Sequence, residues 1–162
     1  MKAPSTIIIG LGNPILGDDG VGWRVAEQVS RQLNQRKGIE VDCLSVGGLS
    51  LMERLIGYDR ALIIDAITTG DKPQGSISTF NLNQLPNRAL GHMCSSHDTT
   101  LQNALAVGRQ MGAKLPSEIV LVAIEASQVY DFSETLSPVI ASAAPKAVEC
   151  VISLLQLDQI KP

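Results

Sequence analysis

The sequence predicts an α/β fold: a single three-layer domain in which helices cover both faces of a twisted mixed sheet of about five strands. Apolar, β-branched runs alternate along the chain with segments of helical period, which is typical of a mostly parallel sheet with covering helices. A length of 162 residues suits one domain with a sizeable core. Because no linker, repeat or low-complexity stretch interrupts the chain, we expect one domain over residues 1–162.

Five strands are predicted, at residues 6–11, 39–45, 60–67, 76–80 and 118–125. The first, third and last are near-continuous apolar runs, as expected of central parallel strands that are covered on both faces. Only a polar turn, Thr68 to Gly75, separates the third strand from the fourth. So short a link favours an antiparallel strand, which we expect at an edge of the sheet.

Four helices are predicted. The first should begin near Asp19 or Gly20, because apolar residues then recur four apart on one stripe: Val21, Val25, Val29 and Leu33. A short helix is expected at 49–56, a third near 98–111, and a last one at 138–157 with Pro138 in its first turn. Residues 81–96 have no clear period, and loops of that length are often functional.

Composition excludes several classes of function. Thirteen basic and 16 acidic residues give a net charge of −3, which argues against a general grip on nucleic-acid phosphates. The five aromatic residues are scattered and form no stacking platform. The apolar run after the start ends at once in glycines, so we expect neither a signal segment nor a membrane span. Three cysteines without a disulfide spacing favour the cytoplasm, and we expect a monomer.

A glycine-rich segment, Gly10-Leu11-Gly12-Asn13-Pro14, joins the first strand to the first helix. It resembles the start of a dinucleotide fingerprint, G-x-G-x-x-G, but the third glycine position is Ile15. The adjacent acids Asp18 and Asp19 would repel a pyrophosphate at the helix N-terminus. We therefore expect no bound dinucleotide cofactor.

Asp18 and Asp19 have a simple interpretation as helix caps, since aspartate suits the positive end of a helix. Capping explains one acid only, because consecutive side chains point in different directions. The other acid can face the carboxyl edge of the sheet.

Two further residues fall where α/β sheets gather ligands. Asp65 follows an apolar run in the third strand, and His97 precedes the third helix, where a neutral imidazole is favoured. If the first and third strands are neighbours, Asp19 and Asp65 share one crevice. Together with His97 they form a two-oxygen, one-nitrogen set that suits a divalent first-row metal ion. Asp65 also has a plain interpretation as a solvated strand end or loop cap, and His97 as an exposed loop histidine.

Competing sites near His97 are weaker. Residues 95–98 contain the letters of a serine triad, but adjacent residues cannot adopt its geometry. Cys94 and His97 form C-x-x-H, which could be half of a zinc site, although no C-x-x-C motif exists to supply the other half. The same two residues could also be a nucleophile pair. His92 is interpreted as a surface histidine.

The sequence resembles the endopeptidases that mature nickel–iron hydrogenases. Their pattern of G-x-G-N followed by D-[DE]-G-x-G is present with its spacing intact, at residues 10–13 and 18–22. Their later marks also occur in order, and nearly the whole chain is covered: Gly47-Gly48, Asp65-Ala66, His97 and Leu136-Ser137-Pro138. Two departures, Ile124-Glu125-Ala126 and the residues after His97, bear on which substrate protein is recognised.

The resemblance implies a protease that removes a C-terminal extension from the precursor of a [NiFe] hydrogenase large subunit. Asp19, Asp65 and His97 would be the catalytic and metal-contacting residues, and Asp18 would keep the capping role. The metal would be nickel, supplied by the substrate and used as the recognition element. Because His97 must be neutral to bind metal, processing should decline below about pH 6.

Two alternatives remain open. A non-catalytic nickel carrier or chaperone for the large subunit would bind the precursor without shortening it. Peptidyl-tRNA hydrolases share the Gly-Leu-Gly-Asn-Pro opening, but residues 15–35 contain no histidine to act as their catalytic residue, and the charge of −3 fits tRNA poorly.

Overall fold

A computed structural model describes residues 5–84, 100–127 and 131–157. In these ranges it contains five strands: β1 (Thr6–Leu11), β2 (Ile39–Leu44), β3 (Arg60–Ile67), β4 (Ile77–Asn81) and β5 (Glu118–Glu125). It also contains four α-helices: α1 (Val21–Leu33), α2 (Gly48–Arg54), α3 (Leu101–Gln110) and α4 (Pro138–Leu157). Short 3₁₀ turns lie at Gly17–Gly20 and Leu82–Gln84.

The strands form one sheet in the order β2-β1-β3-β5-β4. β1 pairs in parallel with β2 and β3, and β3 pairs in parallel with β5. β4 is antiparallel to β5 and lies at an edge. The predicted fold class and the antiparallel edge strand are therefore confirmed.

Two apolar layers enclose the sheet, because successive strand residues point to opposite faces. One layer packs even-numbered residues of β1 and β3, such as Ile8, Leu62 and Ile64, against α1 and α4. The other packs odd-numbered residues, such as Ile9 and Ile63, against α2 and α3. This division explains why β1, β3 and β5 carry almost no polar side chains.

The boundaries of several elements differ from the predicted ones. α1 begins at Val21 because residues 17–20 form the 3₁₀ turn instead. α2 spans Gly48–Arg54 rather than 49–56. α3 begins at Leu101, where the Thr100 side chain accepts a hydrogen bond from the Asn103 amide at 3.2 Å and caps the helix. The predicted start of this helix at residue 98 lies outside the described residues.

α4 is the one helix in the described ranges that is long and apolar enough to cross a bilayer by length and composition. The core helix of a globular protein passes the same test. One side of α4 packs on the sheet through buried residues that include Ile140, Ala144, Ala147 and Val151.

Candidate functional site

The carboxyl ends of β1 and β3 form the candidate site. The two strands are adjacent and parallel, as predicted, and Gly10 is level with Ile64, so Asp65 lies level with the end of β1. After β1 the chain crosses to β2, whereas after β3 it continues toward β4 and β5. Such a reversal of direction opens a crevice above the sheet, where α/β proteins bind ligands.

Both predicted acids lie at this edge and are buried. Asp19 is 2% exposed and Asp65 is 0% exposed. Asp19 belongs to the Gly17–Gly20 turn, which is in contact with β3. Asp65 lies in β3, and the alternation of the strand places it on the face that α2 and α3 cover.

Two glycines of the opening motif allow the turn and α1 to approach the strands. Gly12 has a φ of +128°, and a Cβ there would lie 1.9 Å from the Asp19 carbonyl oxygen. A Cβ on Gly22 would lie 2.2 Å from the Leu11 carbonyl oxygen and 2.5 Å from that of Ile64. In this chain the glycines therefore serve close backbone packing and bring Asp19 down onto the edge of the sheet.

The Asn13 backbone orients Asp19. Its N–H donates a hydrogen bond of 2.7 Å to Oδ2 of the Asp19 carboxylate. A backbone donor holds one oxygen of the carboxylate in a fixed direction.

His97 lies outside the described residues, as do His92 and Cys94. Its place beside Asp19 and Asp65 stays a prediction. Among the described residues no group of three or more His, Cys, Asp or Glu side chains forms a metal site. The structure therefore brings two of the three predicted site residues to one edge, and α3, which follows His97 in the chain, covers the face that carries Asp65.

The capping role expected for Asp18 is wrong. The N-cap of α1 is Gly20, without a side-chain hydrogen bond, and the Val21 amide donates to the Asp18 backbone carbonyl. The Asp18 side chain instead accepts a hydrogen bond of 2.6 Å from the Ser137 backbone N–H, ahead of α4. The 3₁₀ turn satisfies the helix donor through the main chain and leaves the carboxylate to reach another segment.

Glu125, named above only as part of a departure from the family pattern, has a structural role that the sequence did not predict. It is 3% exposed at the end of β5 and accepts hydrogen bonds from the Thr69 amide, the Thr69 hydroxyl and the Gly70 amide, each at 2.8 Å. These bonds fix the loop that leaves β3 beside the crevice. A charged residue that ends an otherwise apolar central strand was the available signal.

Sequence comparison identifies relatives among the proteins of hydrogenase maturation. A family model described as hydrogenase maturation protease matches residues 23–154. The hydrogenase expression/formation protein HoxM of Azotobacter vinelandii is 27% identical over 146 residues, covering 90% of this chain and 70% of that protein. A putative hydrogenase maturation protease of Methanocaldococcus jannaschii is 26% identical, covering 94% and 97%.

Solved structures show the same fold. The hydrogenase maturating endopeptidase HybD from E. coli has a TM-score of 0.75 at 20% identity, covering 95% of this chain and 93% of that one. The [NiFe] hydrogenase maturation protease HycI from Thermococcus kodakarensis has a TM-score of 0.68 at 23% identity, covering 94% and 93%. Because the family model matches far more than half of the residues of this chain, the chain belongs to the hydrogenase maturation protease family.

Proposed function

We propose that this chain is an endopeptidase that removes the C-terminal extension from the nickel-loaded precursor of a [NiFe] hydrogenase large subunit. Membership of the protease family supports the reaction class. The relatives named above are hydrogenase formation proteins and maturation proteases, which supports the hydrogenase precursor as substrate.

One observation carries the assignment of the site: two buried carboxylates, Asp19 and Asp65, at the carboxyl ends of adjacent central strands. A cation bound in this crevice would be attracted to both carboxylates. The cation we propose is the nickel of the precursor, which belongs to the substrate and is the element by which it is recognised. Asp19, Asp65 and His97 would contact it through two oxygens and one nitrogen, a donor set that suits a divalent first-row metal.

Contact with the nickel would place the neighbouring peptide bond of the precursor beside the two acids. The metal can polarise the scissile carbonyl or lower the pKa of a water molecule. A carboxylate of the site, acting as general base, can instead take the proton of the attacking water. Both routes need the same two acids at the same edge of the sheet.

We propose that the protein works in the cytoplasm as a monomer, without nucleic-acid or membrane partners. The two described cysteines, Cys43 and Cys150, are free thiols, which supports a reducing compartment. The net charge of −3 supports the exclusion of nucleic acid.

The proposed reaction is tested by incubating the protein with nickel-loaded and nickel-free precursor and measuring the intact mass of the large subunit. We expect a loss of mass, corresponding to one C-terminal peptide, only in the nickel-loaded sample. Loss of mass in both samples would overturn the role of nickel. No loss in either sample, with binding of the precursor retained, would favour the non-catalytic carrier.

A further inference from the structure

Asp18 is a buried carboxylate that the proposed reaction does not use. It is 8% exposed and directly precedes Asp19 in the same 3₁₀ turn. Its Oδ1 accepts the hydrogen bond from the Ser137 backbone N–H at 2.6 Å, across 119 residues of sequence. This hydrogen bond links two segments that are far apart in the chain.

The segment that Asp18 contacts is also bound to the turn by its backbone. The Gly17 amide donates to the Ser133 carbonyl at 2.7 Å, and the Ser133 amide donates to the Ile15 carbonyl at 3.0 Å. The loop that carries Asp19 is therefore held on one side by β1 and on the other by residues 133–137.

The side chains of the two adjacent acids are directed to different segments of the protein. Asp18 lies at the N-terminal end of α4, a helix of 20 residues, where unpaired backbone N–H groups stabilise negative charge. The Asp19 carboxylate receives its hydrogen bond from Asn13, on the β1 side of the turn. One acid is thus directed to α4 and the other to the end of β1.

We propose that Asp18 is a positioning residue: its bond to the Ser137 amide fixes the Gly17–Gly20 turn against α4 and thereby sets the orientation of the Asp19 side chain. The consequence for catalysis rests on the proposed function. The consequence for the position of Asp19 does not, because it concerns this chain alone.

The Asn13 amide reports the position of Asp19, since it donates directly to that carboxylate. Its hydrogen exchange can be followed by ¹⁵N NMR in the wild type, Asp18→Ala and Asp18→Asn. We expect exchange at least about tenfold faster in Asp18→Ala, because the lost bond releases the turn. Asp18→Asn should stay near the wild type, since its amide oxygen can still accept from Ser137. Amides within β1 should not change in either variant.

The matched control is Asp131→Asn, because Asp131 is an exposed acid that lines the same cavity of about 310 Å³ as Asp18. It should leave the Asn13 amide at its wild-type exchange rate. Ser137 lines the same cavity, so we expect Asp18→Ala to fold with water in place of the carboxylate. If it does not, Ser137→Pro removes the donor from the other side and should accelerate Asn13 in the same way.

Kinetics provides the second measurement. With nickel-loaded precursor, kcat/KM should fall at least about tenfold in Asp18→Ala, be largely rescued in Asp18→Asn and be unchanged in Asp131→Asn. An unchanged Asn13 amide in Asp18→Ala, or in Ser137→Pro if that variant is needed, would overturn the positioning role. If the wild type fails to cleave the precursor, the proposed function fails, and Asn13 exchange still decides the role of Asp18.

Discussion

Asp19 and Asp65 are buried carboxylates at the proposed site. Each carboxylate is almost completely removed from water, and burying a charged group costs several kcal/mol unless other groups compensate it. Such groups are retained where their chemistry is needed. Their burial at the crevice between β1 and β3 supports the proposal that they act on a ligand.

Substitution of either acid should remove activity without unfolding the protein. In Asp19→Asn and Asp65→Asn, processing of nickel-loaded precursor should fall by about 100-fold or more, because a charged contact to the metal is lost. Intact-mass kinetics gives the rate, and circular dichroism checks the fold. Asp71→Asn, an exposed acid in the loop after β3, is the control and should cleave like the wild type. Normal cleavage by both site variants would show that the site is elsewhere.

Cys43 should make the stability of the folded protein decline at alkaline pH. Burial, and then the charges of Glu27 and Asp42, raise the pKa of its thiol to about 11. In the unfolded chain the thiol ionises near its ordinary value of 9.0, so between these two pH values ionisation favours the unfolded state. The free energy of unfolding should decline from about pH 9 to about pH 11 for this reason.

Urea unfolding across this pH range, in the wild type and Cys43→Ser, measures the effect. The variant should show a smaller decline, because the other titrating groups are common to both proteins. Parallel curves for the two proteins would mean that the thiol is not coupled to folding.

At the residue scale, two different signals in the sequence could indicate Asp19 and Asp65. Asp65 stands in an apolar strand, and Asp19 belongs to a spaced glycine–acid motif. The role of Asp18 could not be predicted, because its donor lies 119 residues away and only the packing of α4 brings it there.

The elements at the site depend on close contact between α1 and the strands. Gly22, in the first turn of α1, faces the Leu11 and Ile64 carbonyl oxygens, and neither backbone can move without disturbing the sheet. A Cβ on Gly108 in α3 would instead lie 2.8 Å from the Met52 sulfur and 3.0 Å from Cδ1 of Leu115, both side-chain atoms. The flexible Met52 side chain can adjust, so the two helical glycines differ in what surrounds them.

Alanine at these two positions should therefore have different effects. Gly22→Ala should lower the free energy of unfolding by about 1–3 kcal/mol, as in other overpacked cores. Gly108→Ala should change it by no more than about 1 kcal/mol, because the gain in helix propensity offsets the adjustment of Met52. Urea denaturation measures both. Equal losses of unfolding free energy would mean that the backbone contacts at Gly22 are no more restrictive than the side-chain contacts at Gly108.

At the element scale, three strands and α4 have their predicted bounds because their apolar runs end sharply in polar or turn residues. The predicted bounds are wrong where short-range geometry decides the end of a helix. The start of α1 moved by one or two residues because Gly17–Gly20 forms a 3₁₀ turn, and both ends of α2 moved because its apolar pattern is short. Periodicity predicts that a helix exists better than it predicts where the helix ends.

At the scale of the whole molecule, the strand order explains why the proposed site lies at one edge of the sheet. The chain leaves β1 and β3 in opposite directions, so the crevice lies between the strands that lead to Asp19 and contain Asp65. A lightly charged protein with five aromatic residues has few surface groups for recognising a partner. Recognition through a metal carried by the substrate needs few surface contacts and suits such a molecule.

The most direct test of recognition through nickel compares the affinities of the protein for nickel-loaded and nickel-free precursor. Calorimetry gives both affinities for the wild type, Asp19→Asn and Asp65→Asn. The wild type should bind the nickel-loaded form at least about tenfold more tightly, a difference of about 1.4 kcal/mol. Both variants should bring the ratio of the two affinities close to one. Equal affinity of the wild type for the two forms, or an undiminished preference for nickel in both variants, would contradict the account.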